Sequence, residues 1–210
     1  MKIVPSILTD QLERLRDILS TAERFTDYVQ IDFMDGLFVP SKSVLPQDMD
    51  RITTALDREA HLMVEKPEQY VSDLKLLGFK RIIFHYEADA HPQGVIRAIK
   101  EQNMEAGMAI NPETDVSRLE GFVSELDSVL FLSVSPGFYG SPFIPSVLQK
   151  IGGFRRRHPA IVIGIDGGVA LDNISEINSL GVNYACVGSR IFLSEDPEAR
   201  YREFERSAED

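Results

Sequence analysis

Gln30-Ile31-Asp32-Phe33-Met34-Asp35-Gly36 closes one apolar run of the chain, and Ile165-Asp166-Gly167-Gly168 closes another. Each puts a carboxylate where an extended segment hands over to a glycine turn. Working outward from them, short runs rich in Ile and Val recur at about 3–8, 27–33, 59–64, 79–85, 104–110, 128–135, 160–166 and 183–189, and read as strands. The stretches between them show helical spacing, as in Leu12, Leu15, Ile18 and Leu19, or Val71, Leu74, Leu76 and Leu77. Asp10 and Glu13 have the spacing of a capping box, Pro67 and Pro92 suit first helical turns, and Gly78 and Gly181 stand where helices should stop. Strands that read as near-continuous apolar runs favour a parallel sheet. Alternation of strand and helix along the whole chain predicts an α/β fold, a (β/α)8 TIM barrel in a single domain spanning 1–210. An open doubly wound sheet is the rival, but Pro5-Ser6-Ile7-Leu8 stands where a Gly-x-Gly-x-x-Gly turn would follow the first strand.

Composition narrows the partners. With 22 basic against 33 acidic residues the net charge is -11, which disfavours nucleic acid and anionic membrane surfaces. The one basic run, Arg155-Arg156-Arg157-His158, reads as the cationic end of a helix. A single cysteine, Cys186, excludes an internal disulfide and a thiolate metal cluster; in the run Tyr184-Ala185-Cys186-Val187 it reads as a small buried hydrophobe. The first residues lack the apolar core of a signal peptide, and no apolar run reaches the roughly 18 residues of a membrane span. A soluble, cytoplasmic protein is the expectation.

In such a barrel the active site forms at the carboxyl ends of the strands. Reading those ends in turn gives Ser6, then Gln30 and Asp32, then His61, then Asp166, then Gly188 and Ser189, on neighbouring strands of one arc. Alternation along a strand puts Gln30, Asp32 and Met34 on one face of theirs, and likewise His61 and Met63 on one face of theirs, so that the polar pairs point together, with the methionines as packing that floors a pocket. One imidazole and two carboxylates can hold a divalent cation, which would polarise a ketone and ease removal of the neighbouring proton. A carboxylate on each side of the planar intermediate could remove the proton from one face and return it to the other. Three glycine-bearing turns share the same rim: Pro136-Gly137-Phe138-Tyr139-Gly140, Gly167-Gly168 and Gly188-Ser189, with Arg190-Ile191-Phe192 placed to begin a short helix. Backbone amides there suit a phosphate, so the expected partner is a small phosphosugar.

Several of these segments, in order, resemble the ribulose-phosphate 3-epimerase family: Pro5-Ser6-Ile7-Leu8, Asp32 to Pro40, His61-Leu62-Met63, Asn111-Pro112, Ser133 to Phe138, Phe143 to Leu148, Asp166-Gly167-Gly168 and Val187-Gly188-Ser189. The resemblance implies a metal-dependent barrel that interconverts ribulose 5-phosphate and xylulose 5-phosphate. It further implies acid-base roles for Asp32 and Asp166, and one divalent metal ion on Asp32, His61 and Asp166. Ser6 and His61 would face the sugar, while Gly137, Phe138, Tyr139, Gly140, Gly167, Gly168, Gly188 and Ser189 would grip the phosphate. Family members often assemble into dimers or larger rings, so a homo-oligomer is an expectation.

The chain also departs from the family pattern. Gln30 stands where the family has its first metal histidine; as a ligand through its oxygen it would shift preference from Zn toward Mn, Fe or Mg. Leu37 replaces a usual histidine, Ser41-Lys42-Ser43 a usual Asn-Leu-Thr, Leu132 a methionine and Tyr139 a glycine. The alternatives are a catalytically silent or metal-free phosphosugar-binding barrel and an epimerase for another ketose phosphate. A barrel lyase, decarboxylase or synthase ranks lowest, because Met34 occupies the turn where its lysine would stand and Lys66 falls beyond the third strand.

Overall fold

The computed structural model describes every residue except Asp89, Phe138, Tyr139 and Asp210. Eight strands close into a barrel in sequence order: β1 (Lys2–Ile7), β2 (Tyr28–Met34), β3 (Asp57–Met63), β4 (Arg81–His85), β5 (Glu105–Ile110), β6 (Ser128–Leu132), β7 (Val162–Asp166) and β8 (Tyr184–Val187). All neighbours pair in parallel, β8 returning to β1, as apolar runs buried on both faces require.

The helical layer is less regular than strict alternation predicts. Helices α1 (Leu12–Ala22), α2 (Val71–Leu76), α3 (Pro92–Glu101), α4 (Ser146–Arg157) and α5 (Ile174–Ser179) follow β1, β3, β4, β6 and β7, while α6 (Ser189–Phe192) and α7 (Pro197–Glu209) follow β8. After β2 and β5 the described residues form only short 3-10 turns, Pro46–Met49 and Val116–Leu119. Those connections carry Gly36, Pro40 and Pro46, and Pro112 and Gly121, residues that interrupt α-helix by lost N–H groups or excess backbone freedom.

Two local expectations are corrected. Asp10 and Glu13 form no capping box: the backbone is still extended at Gln11 (φ -115, ψ 120), α1 begins one residue later without a side-chain cap, and Glu13 accepts a bond from Arg16 at 2.6 Å. Leu76 is 86% exposed, because it lies about 200° round the helix from the buried Leu74. The predicted stops hold, with Gly78 and Gly181 at φ +83 and +74. The basic run does end α4, but Arg155 works beyond it: its guanidinium donates to the carbonyls of His158, Pro159, Ile161 and Gly181 and to Asn183 Oδ1, tying α4 to the starts of β7 and β8.

Outward side chains of the strands pack under the helices in the main core, with Phe33, Phe84, Phe131 and Phe154 fully buried. Inward ones fill the barrel, where Val4, Ile83, Ala109, Leu130, Leu132, Tyr184 and Cys186 form a second cluster. Gly164 makes room for the Tyr184 ring, since a Cβ there would stand 2.3 Å from Tyr184 Cζ. Below the active-site level this interior is polar: Glu59, fully buried, accepts bonds from the Tyr28 hydroxyl and Arg81, both at 3.0 Å. Register then carries the chemistry upward, pairing Gln30 with Glu59 and, one inward step later, Asp32 with His61; across the barrel Asp166 pairs with Cys186.

Candidate active site

Asp32, His61 and Asp166 converge at the carboxyl end of the barrel as the strand-tail reading predicts. One ligand atom from each lies within 4.8 Å of the others. His61 Nδ1 is 2.9 Å from Asp32 Oδ1 and 3.5 Å from Asp166 Oδ2. They line a pocket of about 350 Å³ shared with Ser6, Gly137, Gly140, Gly167, Gly168, Gly188, Ser189 and Arg190. Met34, Met63, Leu132 and Val134 also line it, so the methionines are apolar lining, as expected. Phe138 and Tyr139, expected in the phosphate grip, lie outside the described residues.

Local chemistry explains why each part holds its place. Asp35, in the turn after β2, is structural: it accepts the N–H groups of Leu37, Phe38 and Glu65 at 2.8–3.1 Å, joining the loops after β2 and β3. The Ser43 hydroxyl donates to Asp32 O and accepts from Met34 N, both at 2.9 Å, which fixes the end of β2. Gly167 has φ +104, and a Cβ there would stand 2.4 Å from Val134 Cγ2, so only glycine lets this turn lie against the loop after β6. Ser189 opens the short helix α6, one residue before its predicted start.

Gln30 sits beneath the pocket, fully buried. Its Nε2 donates to Asp32 Oδ1 at 2.9 Å and Asp166 Oδ2 at 2.7 Å, while its Oε1 accepts from the Cys186 thiol at 3.1 Å. Ionised carboxylates only accept and a thiol is the available donor, so this is the amide orientation the neighbours demand. Gln30 therefore turns its nitrogen to the cluster and bridges the two carboxylates. Cys186 is buried as expected, yet it is part of this network and lines the pocket.

The electrostatics follow from burial and proximity. Burial raises the Asp32 carboxyl above its ordinary range, and the facing Asp166 adds to that against bonds from His61 and Gln30. For His61 burial opposes protonation, but bonds to Asp166 and Asp32 outweigh it and push the imidazole up to about 9. The two carboxylates draw positive charge to this point, which the proton on His61 supplies in the metal-free protein. Three donors of mixed nitrogen and oxygen type at these separations fit a divalent cation.

The strand-tail reading missed His85 and Glu87. His85 ends β4, is 1% exposed, and brings Nε2 to 2.9 Å from His61 Nε2, with Glu87 Oε2 at 3.3 Å from its Nδ1. The signal was present: a histidine ending an apolar strand next to β3 obeys the rule that singled out His61. Leu37, by contrast, is 69% exposed and does not line the pocket.

Residues 2–192 match the profile described as the ribulose-phosphate 3 epimerase family. The chain belongs to the ribulose-phosphate 3-epimerase family. Membership makes it an epimerase, an isomerase-class enzyme. Ribulose-phosphate 3-epimerase of Escherichia coli is 36% identical over 204 residues, covering 92% of this chain and 90% of that one. The Bacillus subtilis protein of the same name is 34% identical over 204 residues, with 93% and 94% covered. Among solved structures, 3-hexulose-6-phosphate synthase from Salmonella typhimurium superposes with a TM-score of 0.69 over 99% of this chain and 98% of that one, at 16% identity, a likeness of fold alone. No helix among the described residues of this epimerase is long and apolar enough to cross a membrane.

Proposed function

We propose that the chain epimerises D-ribulose 5-phosphate to D-xylulose 5-phosphate at the carbon beside the ketone, with Asp32 and Asp166 as the two proton-transfer groups. The observation that carries this reading is the convergence of the two carboxylates on one pocket whose rim is built of glycine turns. A divalent cation on Asp32, His61 and Asp166 would polarise the ketone oxygen and offset the charge of the enediolate. Gln30 favours Mn, Fe or Mg over Zn, because its amide adds no nitrogen ligand. The backbone amides of Gly167, Gly168, Gly188 and Ser189 hold the phosphate, anchoring the sugar so that its reacting carbon lies between the carboxylates. Each carboxyl then serves one face: one removes the proton, the other delivers its own, and the configuration inverts. The raised affinity of Asp32 for a proton suits the delivering role. Ser6, beside the cluster, supplies a hydroxyl to the sugar.

Gln30 favours one second reading, a metal-free phosphosugar-binding barrel, since its N–H groups already satisfy both carboxylates. Turnover separates the two. Protein supplied with Mn²⁺ should convert D-ribulose 5-phosphate to D-xylulose 5-phosphate, faster than it converts other ketose phosphates, and lose the activity on chelation. Binding of the sugar phosphate without product, with every divalent cation tried, would overturn the catalytic reading. A cytoplasmic setting is part of the proposal, supported by a lone cysteine that is a buried free thiol.

A further inference from the structure

The contact between His61 and His85 constrains protons in a way that the pocket alone does not reveal. Two imidazole nitrogens 2.9 Å apart need one proton between them, donated by one ring to the lone pair of the other. Which ring donates is decided at the far end of the chain. Glu87 accepts the Asn111 N–H at 2.9 Å, a bond from the Thr114 side chain, and the contact from His85 Nδ1 at 3.3 Å. Burial alone would raise this carboxyl, but those three bonds outweigh it and hold Glu87 below its ordinary range, so it is ionised and only accepts. His85 Nδ1 must then carry a hydrogen. With that hydrogen on Nδ1, a neutral His85 presents a bare Nε2 to His61 and must accept there. The proton between the rings therefore belongs to His61 Nε2, and the lone pair of a neutral His61 is left on Nδ1. That atom lies 2.9 Å from Asp32 Oδ1, a distance that a proton on Nδ1 bridges in the metal-free protein and that a divalent cation can take over. Phe38, its ring 4.7 Å from that of His85, covers the relay from the rim.

We propose that His85 and Glu87 are positioning residues that fix the tautomer of His61, presenting its Nδ1 as a nitrogen donor to a divalent cation shared with Asp32 and Asp166. This rests on the metal reading of the site, and it assigns the two residues that ready His61 for it. Partners of this kind typically contribute 10- to 100-fold in metal affinity.

The test uses the whole chain in three forms: wild type, Glu87→Gln and His85→Phe. Glutamine keeps the size of Glu87 but can donate as well as accept, which releases the proton order; phenylalanine removes the relay. With ¹⁵N-labelled histidine and no metal, wild-type His85 should show a protonated Nδ1 and a bare Nε2 at pH 7. Calorimetric titration with Mn²⁺ should show affinity about 10- to 100-fold weaker in both variants. Inorganic phosphate, held by the glycine turns, should bind all three forms equally, which a general loss of structure would not allow. A protonated Nε2 on wild-type His85, or wild-type Mn²⁺ affinity in both variants, overturns the proposal. If the wild type takes up no Mn²⁺ yet shows the stated His85 tautomer, the metal reading fails and the proton order stands. If the wild type binds Mn²⁺ and the variants match it, the relay fails and the metal reading stands.

Discussion

Raising the pH of the metal-free protein from 6.5 to 9 should remove about 3 kcal/mol of folding stability, and His61 is the source. Its imidazole titrates near 6.5 when unfolded and is pushed up to about 9 in the fold; burial opposes the proton, but the bonds to Asp166 and Asp32 prevail. At about 1.4 kcal/mol per pH unit, the difference amounts to about 3 kcal/mol. Because the folded value is the higher one, the stabilisation is complete below pH 6.5 and disappears as pH rises through 9. The His61 side chain is 1% exposed, so solvent screening takes little from this figure. Asp32 shares the same proton, and the slope belongs to the cluster. Glu59, raised by burial to about 7, loses its own contribution in a lower window, from 4.5 to 7. Urea unfolding followed by circular dichroism, in chelator at half-unit steps, measures the effect. His61→Asn should flatten the curve above pH 7, and saturating Mn²⁺ should do so in the wild type by taking the proton's place. Wild-type stability constant from pH 7 to 9, or an equal slope in His61→Asn, would refute this account of the cluster.

Gly164→Ala should destabilise the barrel by about 1–3 kcal/mol, since the new Cβ would stand 2.3 Å from the buried Tyr184 ring; unchanged urea unfolding would contradict that packing. Gln30→His should tighten divalent-metal binding by setting an imidazole beside both carboxylates; calorimetry showing equal or weaker affinity would mean that position 30 does not face the metal. Glu59→Gln should abolish the stability loss between pH 4.5 and 7 while leaving the slope above 7, and a persistent lower slope in urea unfolding would place its origin elsewhere.

The barrel was legible because two periodicities agreed. Apolar runs marked all eight strands, and strand parity grouped Gln30 with Asp32 and His61 with Met63, the faces that the barrel turns inward. What stayed hidden depended on distance across the barrel. The amide of Gln30 reads as an oxygen ligand from its position alone, yet acceptors on β2 and β7 and a thiol on β8 decide which end faces the carboxylates. Glu59 and Arg81 form a buried polar layer that no local pattern announces, because each is matched by partners from other strands. The short turns after β2 and β5 were missed for a different reason: periodicity over a few residues cannot tell a 3-10 turn from a helix, although the prolines nearby signalled a break.

The most direct measurement is the reaction of D-ribulose 5-phosphate in deuterated water with Mn²⁺ supplied, comparing wild type with Asp166→Asn. Proton transfer by Asp32 and Asp166 across the pocket predicts xylulose 5-phosphate carrying solvent deuterium beside the ketone, and a fall in turnover of at least ~100-fold in Asp166→Asn with the circular dichroism spectrum unchanged. Product free of solvent deuterium, or wild-type turnover in Asp166→Asn, would contradict it.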